Sequence, residues 1–412
     1  MSGETLGILV GGGPAPGING VIASATIEAR KNGLSVVGIY DGYRHIARGD
    51  ATQVVPLDVD DVSHIHGTGG SILRTSRTNP AADEATLDRC VSSLTQLGVR
   101  YLIAIGGDDT TYGASRIAER AQGRIAVATV PKTIDNDLPL PDNAPTFGFE
   151  TARSVATGIV ESLIEDARTT GRWYLVVSMG RKSGALALGM CASAGATLAV
   201  IPEDFAQATL ELDTVVDTIA GAVVKRKAQG YGHGVAVLAE GLVERLSVEE
   251  LAHLQEVPRD SYGHVRLADV PIGAVVRDAL RRRLSEMHID TAVVTKDIGY
   301  ELRCAKPVAL DVEYTRMLGY GAVQYLLGGG SGALIALAGG VVAPLQLDDL
   351  RDPATGRVRV RMVDVTTQAY AVARNYMTRL DAADLAEPQL ARLAAAANLS
   401  NDAFRARFAN VV

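Results

Sequence analysis

The chain has 412 residues, 47% hydrophobic and 21% charged, which suffices for two or three globular domains and excludes a disordered or fibrous protein. Its formal net charge of −7 excludes a broad basic surface for nucleic acid or membrane, so a phosphate ligand would have to be drawn in by local basic clusters. Aromatic residues make up 5% while glycine occurs 43 times, a balance that favours tight turns and close backbone packing over an aromatic-lined groove.

The N-terminus MSGETLGILVGGG has no basic stretch, and its apolar run is too short for a secretory leader. That run, 6–11, reads as a strand. Further strands are predicted at 35–40, 101–106, 125–131, 173–179, 198–202, 234–240, 291–295 and 333–337. None alternates with polar residues, the pattern of strands covered on both faces. Helical periodicity spans 19–31, 84–97, 110–121, 150–170 and 210–227 between them. Repeated strand–helix order predicts an α/β protein with mainly parallel, helix-covered sheets. In such sheets ligands bind beyond the carboxyl ends of the strands. Two uncharged stretches, 183–202 and 322–347, are dominated by Gly, Ala and Ser and read as buried helix plus strand rather than membrane spans. Cys90, Cys191 and Cys304 are widely spaced and read as reduced thiols of a cytoplasmic protein. A boundary is expected in the Pro- and Asn-rich stretch 140–150, and the tail beyond about residue 345 reads as charged, then helical.

After the first strand, GGGPAPGING (11–20) fits neither standard nucleotide loop. Pro16 takes the place of the last glycine of G-x-G-x-x-G, and Ile18 that of the P-loop lysine. Its glycines still permit close backbone approach, and amides at the next helix start face anions. Gly12 and Gly13 are therefore candidate phosphate contacts, with an ordinary strand-to-helix turn as the alternative. SHIHGTGGSILRTSR (63–77) joins a glycine loop to Arg74 and Arg77, whose guanidinium forks suit a phosphate. His64 and His66 read as a loop or helix end, since no further metal ligand stands at useful spacing.

IGGDDT then places Asp108 and Asp109 where an anion would be expected. A carboxylate there repels phosphate unless a cation intervenes, and Mg2+ takes one or two carboxylates together with substrate phosphates. Asp108 is the candidate magnesium ligand; helix capping is the structural alternative. PKTIDNDLP (131–139) offers Lys132 for phosphate charge and two carboxylates, Asp135 and Asp137, which strand alternation would aim the same way. A polar surface turn is the bland reading of that stretch. Later strand ends carry Gly180 and Arg181, suited to an anion, and Glu240, suited to sugar hydroxyls.

Taken together and in order, GGDD, PKTIDND, MGR, PE, EG and GYELR resemble the phosphofructokinase family over roughly residues 5 to 340. A lone GGD would say little, since NAD kinases and lipid kinases carry it too. The resemblance implies two Rossmann-like three-layer αβα domains with mainly parallel sheets and the active site in the cleft between them. The larger domain would comprise 1–148 and about 300–345 and bind the phosphoryl donor. The smaller, 149–299, would bind the sugar phosphate, and 346–412 would be a mostly helical extension packing on the body.

The same resemblance implies residue roles. Asp135 matches the catalytic base that takes the proton of the sugar 1-hydroxyl, with Lys132 and Arg181 assisting. Thr133 lies beside the transferred group, Asp137 on the sugar, and Asp108 on Mg2+. Met179, Gly180, Arg181, Glu240, Tyr300 and Arg303 match sugar-phosphate contacts, and Arg77 the arginine bridging the phosphates. Arg172 matches an arginine that reaches a neighbouring subunit's site, which implies a homodimer or homotetramer. Val294 stands where a second such arginine is found, with Lys296 nearby, and Thr197 where allosteric members carry an effector-site glutamate.

The resemblance also bears on the donor. ATP-dependent relatives have glycine where this chain has Asp109 and Lys132. A carboxylate at 109 crowds and repels a nucleotide's α-phosphate, while a lysine at 132 supplies charge to a shorter donor. The pair resembles the pyrophosphate-dependent type. It implies reversible, Mg2+-dependent phosphorylation of fructose 6-phosphate by pyrophosphate, a step of glycolysis and gluconeogenesis. The alternatives are an ATP-dependent kinase of the same fold, sedoheptulose 7-phosphate as acceptor, and a non-catalytic regulatory subunit.

Overall fold

The computed structural model describes residues 3–246, 271–350, 352–353 and 358–412. The chain divides into two compact units, Met1–Ala152 with Tyr300–Arg361, and Arg153–Gly299 with Met362–Val412. Among the described residues the strands are β1 (Thr5–Val10), β2 (Ser35–Ile39), β3 (Val54–Pro56), β4 (Val99–Gly106), β5 (Ala126–Thr133), β6 (Phe147–Gly148), β7 (Trp173–Ser178), β8 (Leu198–Val200), β9 (Gly234–Ala239), β10 (Val293–Ile298), β11 (Ala333–Ala338) and β12 (Val341–Gln346).

In the first unit the sheet order is β12-β11-β5-β4-β1-β2-β3, with β6 added to β5. The interior strands run parallel, and β3 and β12 close the two edges antiparallel. Each interior strand serves two cores. Leu6, Ile8 and Val10 of β1 pack with Ile103 and Ile105 of β4 and with residues of the helices Ile18–Lys31 and Ala309–Leu327. Leu9, Leu102, Ala104 and Val127 pack on the other face with residues of Glu84–Gln96 and Asp108–Ala121. Successive side chains point to opposite faces, so a sheet covered on both needs an apolar residue at every position.

The second unit holds a parallel sheet in the order β10-β7-β9-β8. Trp173, Leu175 and Val177 of β7 and Leu238 of β9 join a core with the helices Leu212–Ala228 and Ile272–Glu286. The C-terminal segment completes that core: Leu380, Leu390, Leu393, Phe404 and Phe408 are all fully buried in it. Among the described residues no helix is long and apolar enough to cross a membrane. The stretch 183–202 forms the helix Ala185–Ala194 and β8, and 322–347 ends the helix Ala309–Leu327 and adds β11 and β12.

A buried ion pair fixes the C-terminal segment. Arg379 Nη1 lies 2.6 Å from Asp204 Oδ2, with side chains 8% and 4% exposed, and Tyr370 Oη donates to the other carboxylate oxygen. Removing one partner of such a pair strands an uncompensated charge. Asp204→Ala is therefore expected to lower the unfolding free energy by about 3–5 kcal/mol, read as a fall in the denaturant midpoint. An unchanged midpoint would show that the pair contributes nothing.

Candidate active site

The loop after β1 leads into the helix Ile18–Lys31. Gly12 has a φ of 82°, in the region glycine enters without a Cβ penalty. Its amide donates to the Ser76 carbonyl at 2.9 Å, and Thr75 Oγ1 donates to its carbonyl at 2.7 Å. The glycine loop is thus tied to the segment that carries Arg77.

Lys132, near the end of β5, is 5% exposed, and its Nζ donates to the Gly13 carbonyl at 2.5 Å. A Cβ on Gly12 would meet Lys132 Nζ at 3.1 Å, and a Cβ on Gly13 would meet Arg303 Cζ at 3.4 Å. Arg303 also stacks 5.2 Å from the exposed Tyr300 ring. Two glycines, a lysine and an arginine therefore converge on one spot. Burial above all, then the Arg303 charge, pull the Lys132 ammonium down to about 8; Asp135 and Asp137 oppose this, and Arg77 adds to it. An anion arriving there would relieve the crowding of positive charge.

Asp108 and Asp109 occupy the first turn of the helix Asp108–Ala121, where acidic residues complement the helix dipole. Asp108 Oδ1 accepts from the Asp109 amide at 2.9 Å. Among the described residues no group of three or more His, Cys, Asp or Glu could cage a metal. Mg2+ needs no such cage, since it binds through one or two carboxylates and fills its shell with phosphate oxygens and water. Asp108 fits that kind of site.

The segment after β5 departs from the expected geometry. Thr133 Oγ1 accepts from the Asp135 amide at 3.0 Å, and the Thr133 carbonyl accepts from Thr146 Oγ1 at 2.8 Å. Asn136 has a φ of 57°, and its Oδ1 accepts from the Thr146 amide at 3.1 Å. The chain turns left-handed between Asp135 and Asp137, so strand alternation does not decide where their carboxylates point. Asp135 is half-buried and Asp137 buried.

In the second unit, Met179, Gly180 and Arg181 follow β7, and Glu240 follows its sheet neighbour β9. Gly180, at a φ of 146°, donates its amide to Glu240 Oε1 at 2.8 Å. That amide is thus held by a carboxylate, and the next helix opens only at Ala185. A Cβ on Gly241 would meet the Arg181 carbonyl oxygen at 2.8 Å, so these two strand ends approach as closely as backbone permits. Met179 is buried and its amide donates to the Ile298 carbonyl at 3.0 Å. Arg172 precedes β7, its Nε 4.0 Å from Asp166 Oδ2. Val294 and Lys296 share one face of the edge strand β10, Lys296 exposed.

The phosphofructokinase family model matches residues 5–326. This chain belongs to the phosphofructokinase family. A pyrophosphate–fructose 6-phosphate 1-phosphotransferase from Thermotoga maritima is 52% identical over 391 residues, covering 94% of this chain and 93% of its own. One of the same name from Naegleria fowleri is 46% identical over 418 residues, covering 99% and 96%. In fold, the phosphofructokinase chain is similar to the pyrophosphate-dependent phosphofructokinase of Marinobacter aquaeolei, with a TM-score of 0.67 at 17% identity over 91% of this chain and 90% of that one. Every candidate residue from Gly12 to Arg303 falls inside the matched phosphofructokinase span.

Proposed function

We propose that this phosphofructokinase-family protein transfers a phosphoryl group reversibly from pyrophosphate to the 1-hydroxyl of fructose 6-phosphate. The observation that carries the donor assignment is Lys132, buried against the Gly13 carbonyl beside Arg303. A full cationic side chain there serves a compact donor. The relatives named for this activity, 52% and 46% identical over almost the whole chain, support the same reading.

Phosphoryl transfer asks the protein mainly for positioning and for charge where charge develops. Pyrophosphate lies against Gly12, Gly13, Arg77 and Lys132, with Asp109 excluding a longer donor. Asp108 would hold Mg2+, which neutralises charge on the phosphate oxygens. Asp135 takes the proton of the 1-hydroxyl as that oxygen attacks in line, and returns it in the reverse direction. Thr133 stands beside the transferred group and Arg181 assists with its charge. Asp137, Met179, Gly180, Glu240, Tyr300 and Arg303 hold the sugar phosphate, and Arg172 serves a neighbouring subunit of a homo-oligomer. The reading places the enzyme in the cytoplasm with its phosphorylated substrates. A coupled assay offering pyrophosphate or ATP with fructose 6-phosphate or sedoheptulose 7-phosphate tests it. Turnover is expected with pyrophosphate and fructose 6-phosphate; faster turnover with ATP, or with the seven-carbon sugar, would overturn the donor or the acceptor.

A pH dependence follows from Lys132, held at about 8. Bound pyrophosphate favours the charged amine, so binding takes up a proton and the KM for pyrophosphate climbs as pH rises past about 8. Lys132→Arg keeps its charge and should lose that break. A wild-type KM flat between about pH 7 and 9 would place the titration elsewhere. Stability runs the other way: between about 8 and the ordinary 10.5 the unfolded chain binds more protons, so the ligand-free protein gains stability there as pH rises.

A further inference from the structure

Arg361 lies beyond the matched span 5–326 and in none of the motifs. It ends the stretch of chain that belongs to the first unit, and its guanidinium is half-buried. Nε donates to the Asn136 carbonyl at 3.0 Å, Nη1 to the Ala144 carbonyl at 2.8 Å, and Nη2 to Asn136 Oδ1. The Arg361 amide adds a bond to the Asp137 carbonyl at 2.7 Å. One residue therefore grips the backbone and the side chain of Asn136, the carbonyl of the next residue, and the carbonyl of Ala144.

Asn136 is the left-handed residue between the two aspartates, with a φ of 57°. Asn enters that region more readily than most side chains, and a fixed place there is set by its partners. Here the partners are Arg361 and the Thr146 amide, which share Asn136 Oδ1 as acceptor. A planar guanidinium can satisfy three acceptors in fixed directions at once; an ammonium on a flexible stem cannot hold the same three. All three hydrogen-bond acceptors of the side chain are uncharged amide oxygens, so these bonds set geometry, while the nearby Asp137 charge favours the guanidinium as well.

We propose that Arg361 is a positioning residue for phosphoryl transfer, locking the Asn136 turn so that the carboxylates of Asp135 and Asp137 stand where the sugar hydroxyls arrive. This rests on the reading of Asp135 as the base. Displacing a catalytic group by about 1 Å can lower turnover roughly 10²-fold without removing any reacting atom. A residue that merely stabilised the fold would change the melting temperature and leave turnover per folded molecule alone.

The test uses the full chain with Arg361→Ala, Arg361→Lys, Asn136→Gly and Asp135→Asn. Arg361→Ala is expected to keep a cooperative melt, lose roughly 10²-fold in kcat, and hold KM for pyrophosphate near wild type. Millimolar guanidinium ion should restore part of its kcat, and Arg361→Lys should recover only a fraction. Asn136→Gly keeps the left-handed backbone and deletes the shared acceptor; it should show a smaller kcat loss, and it decides the matter if Arg361→Ala does not fold. Wild-type kcat in Arg361→Ala or in Asn136→Gly, or no response of Arg361→Ala to guanidinium, overturns the proposal while Asp135→Asn remains inactive. Full turnover in Asp135→Asn would instead reject the base, and the positioning role with it.

Discussion

Asp135→Ala is expected to cut turnover by roughly 10²–10⁴-fold, the range a positioned general base contributes, in a chain that stays folded. The structure explains why fold and activity should separate here. The loop is held through its backbone and its neighbours: the Asp135 amide bonds to Thr133 Oγ1, Thr146 bonds to Thr133 and Asn136, and Arg361 bonds to Asn136. None of these bonds needs the Asp135 side chain. Asp135→Asn keeps the volume and loses the ability to accept the hydroxyl proton, so it should fall as far as the alanine variant. The measurement is kcat in the coupled assay alongside a thermal melt of each variant. A folded variant with unchanged turnover would remove Asp135 from the role.

Much of this architecture was legible because burial on two faces leaves an unbroken apolar run. The predicted strand 101–106 shows this: Ile103 and Ile105 face one core while Leu102 and Ala104 face another. The strands outside the predicted set are short or at an edge, whereas the helix Ile272–Glu286, also outside it, is 15 residues long. β3 and β6 have three and two residues, too few to show a period. The stretch 322–347 reads as helix plus one strand, but a two-residue Gly339-Gly340 turn, at φ of 55° and 79°, joins β11 to a second strand, β12. Paired positive φ values are what a tight hairpin turn asks for. Pro344 did not bar the strand because β12 lies at the sheet edge.

The candidate residues were legible for a different reason: parallel sheets collect them at strand ends. Strand alternation does not govern Asp135 and Asp137, because Asn136 between them sits in the left-handed region and breaks the period of two. Arg361 was invisible from sequence. It meets Asn136 across 225 residues of chain, and no local pattern announces a contact that only the fold creates.

Replacing both Asp109 and Lys132 with glycine is expected to weaken pyrophosphate use and bring in ATP. The two positions lie at neighbouring strand ends, since β4 and β5 pair with Gly106 opposite Pro131. Lys132 fills space against Gly13 and supplies a buried positive charge, so its loss alone should lower kcat/KM for pyrophosphate without making room beside residue 109. Asp109 opposes any further phosphate. Two like charges about 4 Å apart at an effective dielectric of about 20 repel by roughly 4 kcal/mol, close to 10³-fold in binding. Asp109→Gly alone removes that repulsion but leaves the lysine in place, so each single change unlocks only part of the switch. Groups this close do not act additively. The check is a four-variant cycle in which kcat/KM is measured for both donors. A double variant that loses pyrophosphate turnover and gains none with ATP would mean that residues 109 and 132 do not choose the donor, and that the choice lies in the loop 11–17 or the segment carrying Arg77.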